Sequence, residues 1–400
     1  MLAINGGKRV RDKSKSYPSW PSVTDGDRKL LNETIGDVYR GFSNRKQEFE
    51  QKFAKDGKVK HCFAVANGTV SLELILRAYS IGRGDEVILP PYTFIATFSS
   101  IVYAGATPVF ADISERDYNM DVVDAEKKIT DKTKAIVVVA VGGCPPDIDA
   151  FESLAKKYGV KLIVDAAQAV GASWRGRNIA SCGDAASFSA QNTKNLTCGE
   201  GGMITTNDDC LAENLSLLLN GGEKDGKIVS VAQNHNITPF QASVLLSQYE
   251  KLGQEILTRE KNAAYLAGRI KELDFIDALD YDERITTHAY HLFLFRVNEK
   301  AFEKKGITRE QFVKALQGEG LVVDVGYMPV YTFPCVSSAD TNRMIDGKVD
   351  TTSLPVCEKV CKKLCIWTYQ SVLLGTREDM DEIVTALKKV WDCADEVRAL

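Results

Sequence analysis

The chain has 400 residues, 44% hydrophobic and 26% charged, with a net charge of −4. That balance suits a globular protein with a substantial core, and it excludes the basic surface of a nucleic-acid or anionic-membrane binder. The longest apolar run, residues 136–141, reads as a buried strand, too short for a bilayer span. The N-terminal MLAINGGKRVRDKSKS lacks the apolar centre of a secretory signal, so a cytoplasmic location is expected.

In chain order, SYPSWP at 16–21 reads as an extended aromatic segment that packs on another surface. Residues 37–54 read as a glycine-containing loop followed by an amphipathic helix with Phe49 and Phe53 on one face. From Cys62 the pattern becomes regular. CFAVA is a strand, NGT a turn, and 70–80 a helix with Leu72, Ile75, Leu76 and Tyr79 on one stripe. A strand, a glycine turn and a helix start present free N–H groups and the positive end of the helix dipole to an anion, making Asn67, Gly68 and Thr69 phosphate candidates.

The alternation continues with strand 86–89, helix 95–103, strand 108–111, helix 122–129, strand 135–141, helix 150–158 and strand 161–164. Repeated βαβ units predict a mostly parallel sheet with helices on both faces and ligands at the strands' C-terminal ends. Asn67–Thr69, Pro91–Phe94 and Asp165–Gln168 all fall at such ends. Phe94 could stack on an aromatic ring or belong to the core.

The stretch from 161 to 206 holds the chemistry. Its first strand ends on Asp165, with Gln168 three residues on, one helical turn away if a helix starts there. A second strand, 185–189, puts Ser187 and Ser189 on one side. A polar loop with one lysine, Lys194, then closes on GEGG before a third strand, 203–206. Pyridoxal phosphate (PLP) suits this set. Its aldehyde needs a partly desolvated primary amine, its ring nitrogen an anion that keeps it protonated, and its phosphate a donor-lined turn with Ser189 beside it.

Ten cysteines without a leader do not form a disulfide scaffold. Cys357, Cys361 and Cys365 recur every fourth residue, but with no CxxC pair and no nearby histidine they read as small buried apolar groups, and no metal site is expected.

Assembled, these motifs resemble the DegT/DnrJ/StrS family of PLP-dependent aminotransferases acting on keto sugars and keto cyclitols. The resemblance rests on NGTVSLELIL (67–76), IGRGDEVILPPYTFIAT (81–97), VDAAQAVG (164–171), SFSAQNTKNLTCGEGG (187–202) and NHNITPFQASVLLSQYEKL (234–252). Weaker matches at HAYHLFLFRV (288–297) and YMPVYTFP (327–334) extend it over nearly the whole chain. AINGGKRVR and PSWP resemble the branch that handles scyllo-inosose-type cyclitols and aminohydroxybenzoate synthesis.

The resemblance implies a type I, aspartate aminotransferase-like α/β fold. An N-terminal arm and large PLP-binding domain would occupy 1–250, and a smaller α+β domain 251–400. It implies Lys194 as the Schiff-base lysine, Asp165 at the pyridinium nitrogen, Gln168 by the ring hydroxyl and Phe94 stacked on the ring. Gly68, Thr69 and Ser189 would hold the phosphate, and Asn234 would reach the neighbour's phosphate across a homodimer. The expected reaction moves an amino group from glutamate or glutamine to a keto sugar or cyclitol.

Two departures bear on the substrate: Ala140 and Tyr331 stand where many members carry histidine, at positions expected to line the pocket. His288 and His291 read as pocket residues or as satisfied structural histidines. A PLP- or PMP-dependent sugar dehydratase is disfavoured because Lys194 is present. A non-catalytic protein on the same fold is disfavoured by the retained Lys194, Asp165 and phosphate turn. A nicotinamide dehydrogenase falls away because no G-x-G-x-x-G follows the first strand.

Overall fold

The computed structural model describes residues 1–39 and 43–400. Its centre is a seven-stranded sheet in the order His61–Val65, Gly202–Thr206, Ala185–Ser189, Lys161–Asp165, Thr133–Val139, Glu86–Leu89 and Thr107–Phe110. Gly202–Thr206 runs antiparallel to both neighbours, and the other described pairings are parallel. The α/β fold with a large, mostly parallel sheet is therefore as read from the repeating βαβ pattern.

The strands are near-continuous apolar runs because both faces are covered. One face carries a core including Leu72, Ile75, Val87, Val137 and Ile163; the other includes Phe49, Phe53, Ile136, Val138 and Phe188. The helix Arg45–Gly57 buries Phe49 and Phe53, and the Phe53 ring meets Phe188 edge-on at 5.3 Å. Burying each such ring contributes roughly 2–3 kcal/mol. Residues 37–39, read as loop, instead end a helix, Asp25–Tyr39, packed along the long helix Pro239–Ile270; residues 40–42 of that expected loop lie outside the described residues. Weak apolar periodicity hid this helix, which buries little beyond Asp27 and Thr34.

Pro239–Ile270 starts at a capping box between Thr238 and Gln241 and joins two regions of the core. The boundary expected at residue 250 lies inside it. Beyond it, a four-stranded sheet, Ile276–Ala278, Leu292–Val297, Cys365–Tyr369 and Val323–Asp324, packs with the helices Arg309–Gly318 and Arg377–Asp392 around a separate core. The first residues of the chain pack here too: Leu2 is fully buried in this core, and the Glu319 carboxylate accepts from Ala3 N and Val10 N. Cys357, Cys361 and Cys365 are buried in the main core. Among the described residues, no helix is long and apolar enough to cross a membrane.

Candidate active site

The residues singled out from sequence converge on one edge of the main sheet. Asp165 is the last residue of its strand, paired between Val139 and Ser187. Gly202 faces both Val65 and Ser189 across the antiparallel pairings, so the turn after Val65, Ser189 and Asp165 share that edge.

Asp165 is buried, and this pushes its carboxyl above the usual range despite hydrogen bonds from Thr97 Oγ1 at 2.8 Å and Ala167 N at 3.2 Å. Thr97 donates to the carboxylate, so its 2.8 Å contact with Thr93 must be a bond that Thr93 donates. The Lys194 charge opposes the upward push on Asp165, so the two groups feel one another inside the protein. Burial lowers the Lys194 amine from 10.5 to about 8, and among the described residues Nζ has no hydrogen bond or ion pair.

Gln168 lies in a turn rather than one turn along a helix, contrary to the expected geometry. It still reaches the same edge, because its Oε1 accepts from Gly142 N at 2.7 Å and its Nε2 donates to Tyr327 Oη at 2.8 Å. The glycine pair is needed here. Gly143 has φ +94°, and a Cβ on it would lie 2.9 Å from both Gln168 O and Tyr290 N.

The NGT turn begins the helix Gly68–Ala78. Asn67 is its N-cap, with its side chain accepting from Val70 N at 2.9 Å. The Asn67 side chain is thereby occupied, while the Gly68 and Thr69 N–H groups, too early for intrahelical bonds, have no partner among the described residues. A Cβ on Gly68 would meet Ser189 Cβ at 2.9 Å, so the turn lies directly against that serine. Ser187 faces the same way as Ser189, with its hydroxyl bonded to Ser71.

Phe94, at the N-cap of the helix Ile95–Ala104, is 59% exposed, so of its two readings the core one fails. Asn234 is exposed, on a loop held to the start of the NGT turn by the bond from Ala66 N to His235 O. Both departures are buried. Tyr331 is buried, its hydroxyl accepting from Leu354 N at 3.1 Å and donating to Glu358 at 3.0 Å. Ala140 is fully buried with its N–H on Asp165 O.

Sequence reasoning named His288 and His291 as pocket or structural residues but missed Trp20 and Asn195 around Lys194. Trp20 Nε1 donates to Lys194 O at 3.1 Å, and His291 Nδ1 lies 3.1 Å from Asn195 Oδ1. His288 is also buried, which pushes its pKa down to about 3, and it stacks on Tyr290. Asn195 stood beside the lysine in sequence and Trp20 in the aromatic segment, but nothing in either pattern says which backbone atom it meets.

Comparison with known proteins gives the chain's relatives. The chain is 33% identical to the L-glutamine:2-deoxy-scyllo-inosose aminotransferase of Streptoalloteichus tenebrarius, covering 100% of this chain and 99% of that one. Among solved structures, 3-amino-5-hydroxybenzoic acid synthase superimposes with a TM-score of 0.82 at 26% identity, covering 94% of this chain and 98% of that one. The PLP form of a putative sugar aminotransferase from Streptococcus pneumoniae does so with a TM-score of 0.81 at 25% identity, covering 95% and 99%. The sequence matches the family's profile over residues 28–388, and the chain is therefore an enzyme that belongs to the DegT/DnrJ/EryC1/StrS aminotransferase family.

Proposed function

We propose that this aminotransferase uses PLP held at the edge described above, and that it moves an amino group from L-glutamine, or from glutamate, to a keto cyclitol or keto sugar. The observation that carries the reading is Lys194, half-buried with its amine desolvated and without a partner among the described residues, acting on a buried carboxylate, Asp165. L-glutamine as donor and a keto cyclitol as acceptor are those in the names of relatives that match along nearly their whole length. A scyllo-inosose-like cyclitol is favoured over a nucleotide-linked sugar on the same ground.

The residues fit the coenzyme. The unpartnered N–H groups of Gly68 and Thr69, at a helix N-terminus and packed against Ser189, suit a phosphate. Asp165, destabilised as an anion by burial, favours a cation placed against it, which is what a protonated ring nitrogen supplies. Phe94 presents an exposed ring that would suit stacking, and Gln168, held by Gly142 and Tyr327, would meet the ring hydroxyl. When bound, PLP supplies the electron sink that makes a proton on the adjacent substrate carbon removable.

Lys194 moves that proton. With a pKa of about 8, roughly a tenth of the amine is unprotonated at pH 7, against well under a thousandth at the ordinary value of 10.5. Asn234, exposed on its loop, suits a contact with the phosphate of a partner subunit in a homodimer with shared sites. The absence of any long apolar helix among the described residues is compatible with a cytoplasmic enzyme.

The test uses the purified protein loaded with PLP. Borohydride reduction followed by peptide mapping should place the cofactor on Lys194. The amino form should then return the aldehyde absorbance with one member of a panel of inososes and keto sugars. Label at another lysine, or no member accepted, refutes the reading.

A further inference from the structure

A lysine side chain is long and flexible, so where its amine can go depends on how firmly its backbone is held. The backbone at 194–195 belongs to no helix or strand, and side chains from distant parts of the chain hold it instead. From one side, Trp20 of the N-terminal segment donates its indole N–H to Lys194 O at 3.1 Å. From the other, Asn195 donates Nδ2 to Ala289 O at 2.7 Å and turns Oδ1 to His291 Nδ1 at 3.1 Å. Because Oδ1 can only accept, the proton sits on Nδ1, and the neutral imidazole leaves Nε2 bare.

These two tethers join. The His291 carbonyl accepts from Gln370 N at 3.0 Å. Gln370 Oε1 accepts from Arg259 Nε at 3.0 Å and Nη2 at 2.6 Å. The Arg259 guanidinium lies 5.3 Å from the centre of the Trp20 ring, which closes a circuit around residue 194. Asn195, His291, Arg259 and Gln370 are 4%, 5%, 0% and 2% exposed. Burying so many polar groups costs desolvation that apolar side chains of similar volume would avoid. One of the circuit's hydrogen bonds ends on the Lys194 carbonyl, and two more hold the side chain of its neighbour Asn195.

We propose that this closed circuit positions Lys194, with His291 as the positioning residue that fixes its loop through Asn195 and with Trp20 as the second tether. The inference rests on the reading of Lys194 as the amine that bonds the cofactor. Burial, together with the charges of Lys194 and Arg259, holds the His291 ring neutral. Replacing it therefore removes a hydrogen bond without removing a charge. The charged groups acting on the Lys194 amine and on His291 are Asp165, Arg259 and one another, with Glu255 paired to Arg259 at 3.3 Å.

The experiment compares the PLP-loaded parent with His291→Phe, which removes the N–H to Asn195, and His291→Asn, whose amide N–H falls where Nδ1 was. It reads borohydride labelling at Lys194, the pH midpoint of the visible absorbance, kcat and KM for glutamine, and the melting temperature. The His291→Phe variant should lose kcat by about 10- to 100-fold and show a displaced pH midpoint, with KM changed less than about threefold, as expected for a misplaced reacting group. The His291→Asn variant should restore both. Trp20→Phe, which keeps a ring by Arg259 but deletes the N–H, should displace the midpoint in the same direction, so the test survives a His291→Phe chain that does not fold. Variants that titrate and turn over like a parent labelled at Lys194, changing only the melting temperature, overturn this proposal alone. A parent without label at Lys194 overturns the functional reading and this proposal with it.

Discussion

Replacing Lys194 by methionine should stabilise the cofactor-free protein at neutral pH while abolishing its catalysis. Burial lowers the amine from 10.5 to about 8, and at about 1.4 kcal/mol per pKa unit this corresponds to roughly 3 kcal/mol of destabilisation. That figure already includes the attraction between the amine and the buried Asp165 anion, so a net advantage on the order of 2–3 kcal/mol is expected. The sign follows from the folded pKa lying below the unfolded one. The cost of the buried amine is complete below about pH 8, fades as the pH rises toward 10.5, and is absent above it. Scanning calorimetry of the stripped parent and variant at pH 7 and pH 10 measures this directly. A methionine variant that melts below the parent at pH 7, or an advantage that does not shrink by pH 10, would refute the claim that the amine is desolvated.

Asp165→Asn should still bind PLP but lose turnover by about 100-fold, because an amide supplies no anion to the ring nitrogen and a charged hydrogen bond contributes up to about 3 kcal/mol; steady-state kinetics with saturating cofactor check it. Gly202→Ala would drive a Cβ to 2.5 Å from Asn67 C and O. It should therefore cost about 1–3 kcal/mol of stability and weaken cofactor binding about tenfold, read from melting curves and a fluorescence titration with PLP. Tyr331→Phe removes the acceptor of the buried Leu354 N–H and should cost about 1–3 kcal/mol, while KM for the keto substrate stays unchanged.

The family's profile, a relative such as the Streptoalloteichus enzyme and the solved neighbours agree on an aminotransferase, and the local chemistry explains why the motifs were readable. An aspartate closing an apolar strand, a glycine turn opening a helix and a lysine between a small-residue strand and GEGG are each local patterns. Each is enforced by backbone geometry within about ten residues. Less local readings fared worse. Gln168 reaches its place through a turn anchored by Gly142 and Tyr327, not through helical spacing. Tyr331 stands in a motif position that suggested a pocket, yet its hydroxyl is taken up by Leu354 N and Glu358. The helix Asp25–Tyr39 was invisible because it buries so little of its own surface.

What the order of residues determined alone was the alternation of strands and helices and the edge on which the chemistry-bearing side chains would gather. Period, turn type and the C-terminal ends of parallel strands are consequences of neighbouring residues. Only the tertiary structure decided how Lys194 is held, since Trp20, His291, Arg259 and Gln370 lie scattered from the first segment to the last strand's end. No periodicity links them; burial does, by forcing each polar group to find a partner wherever the packed chain supplies one.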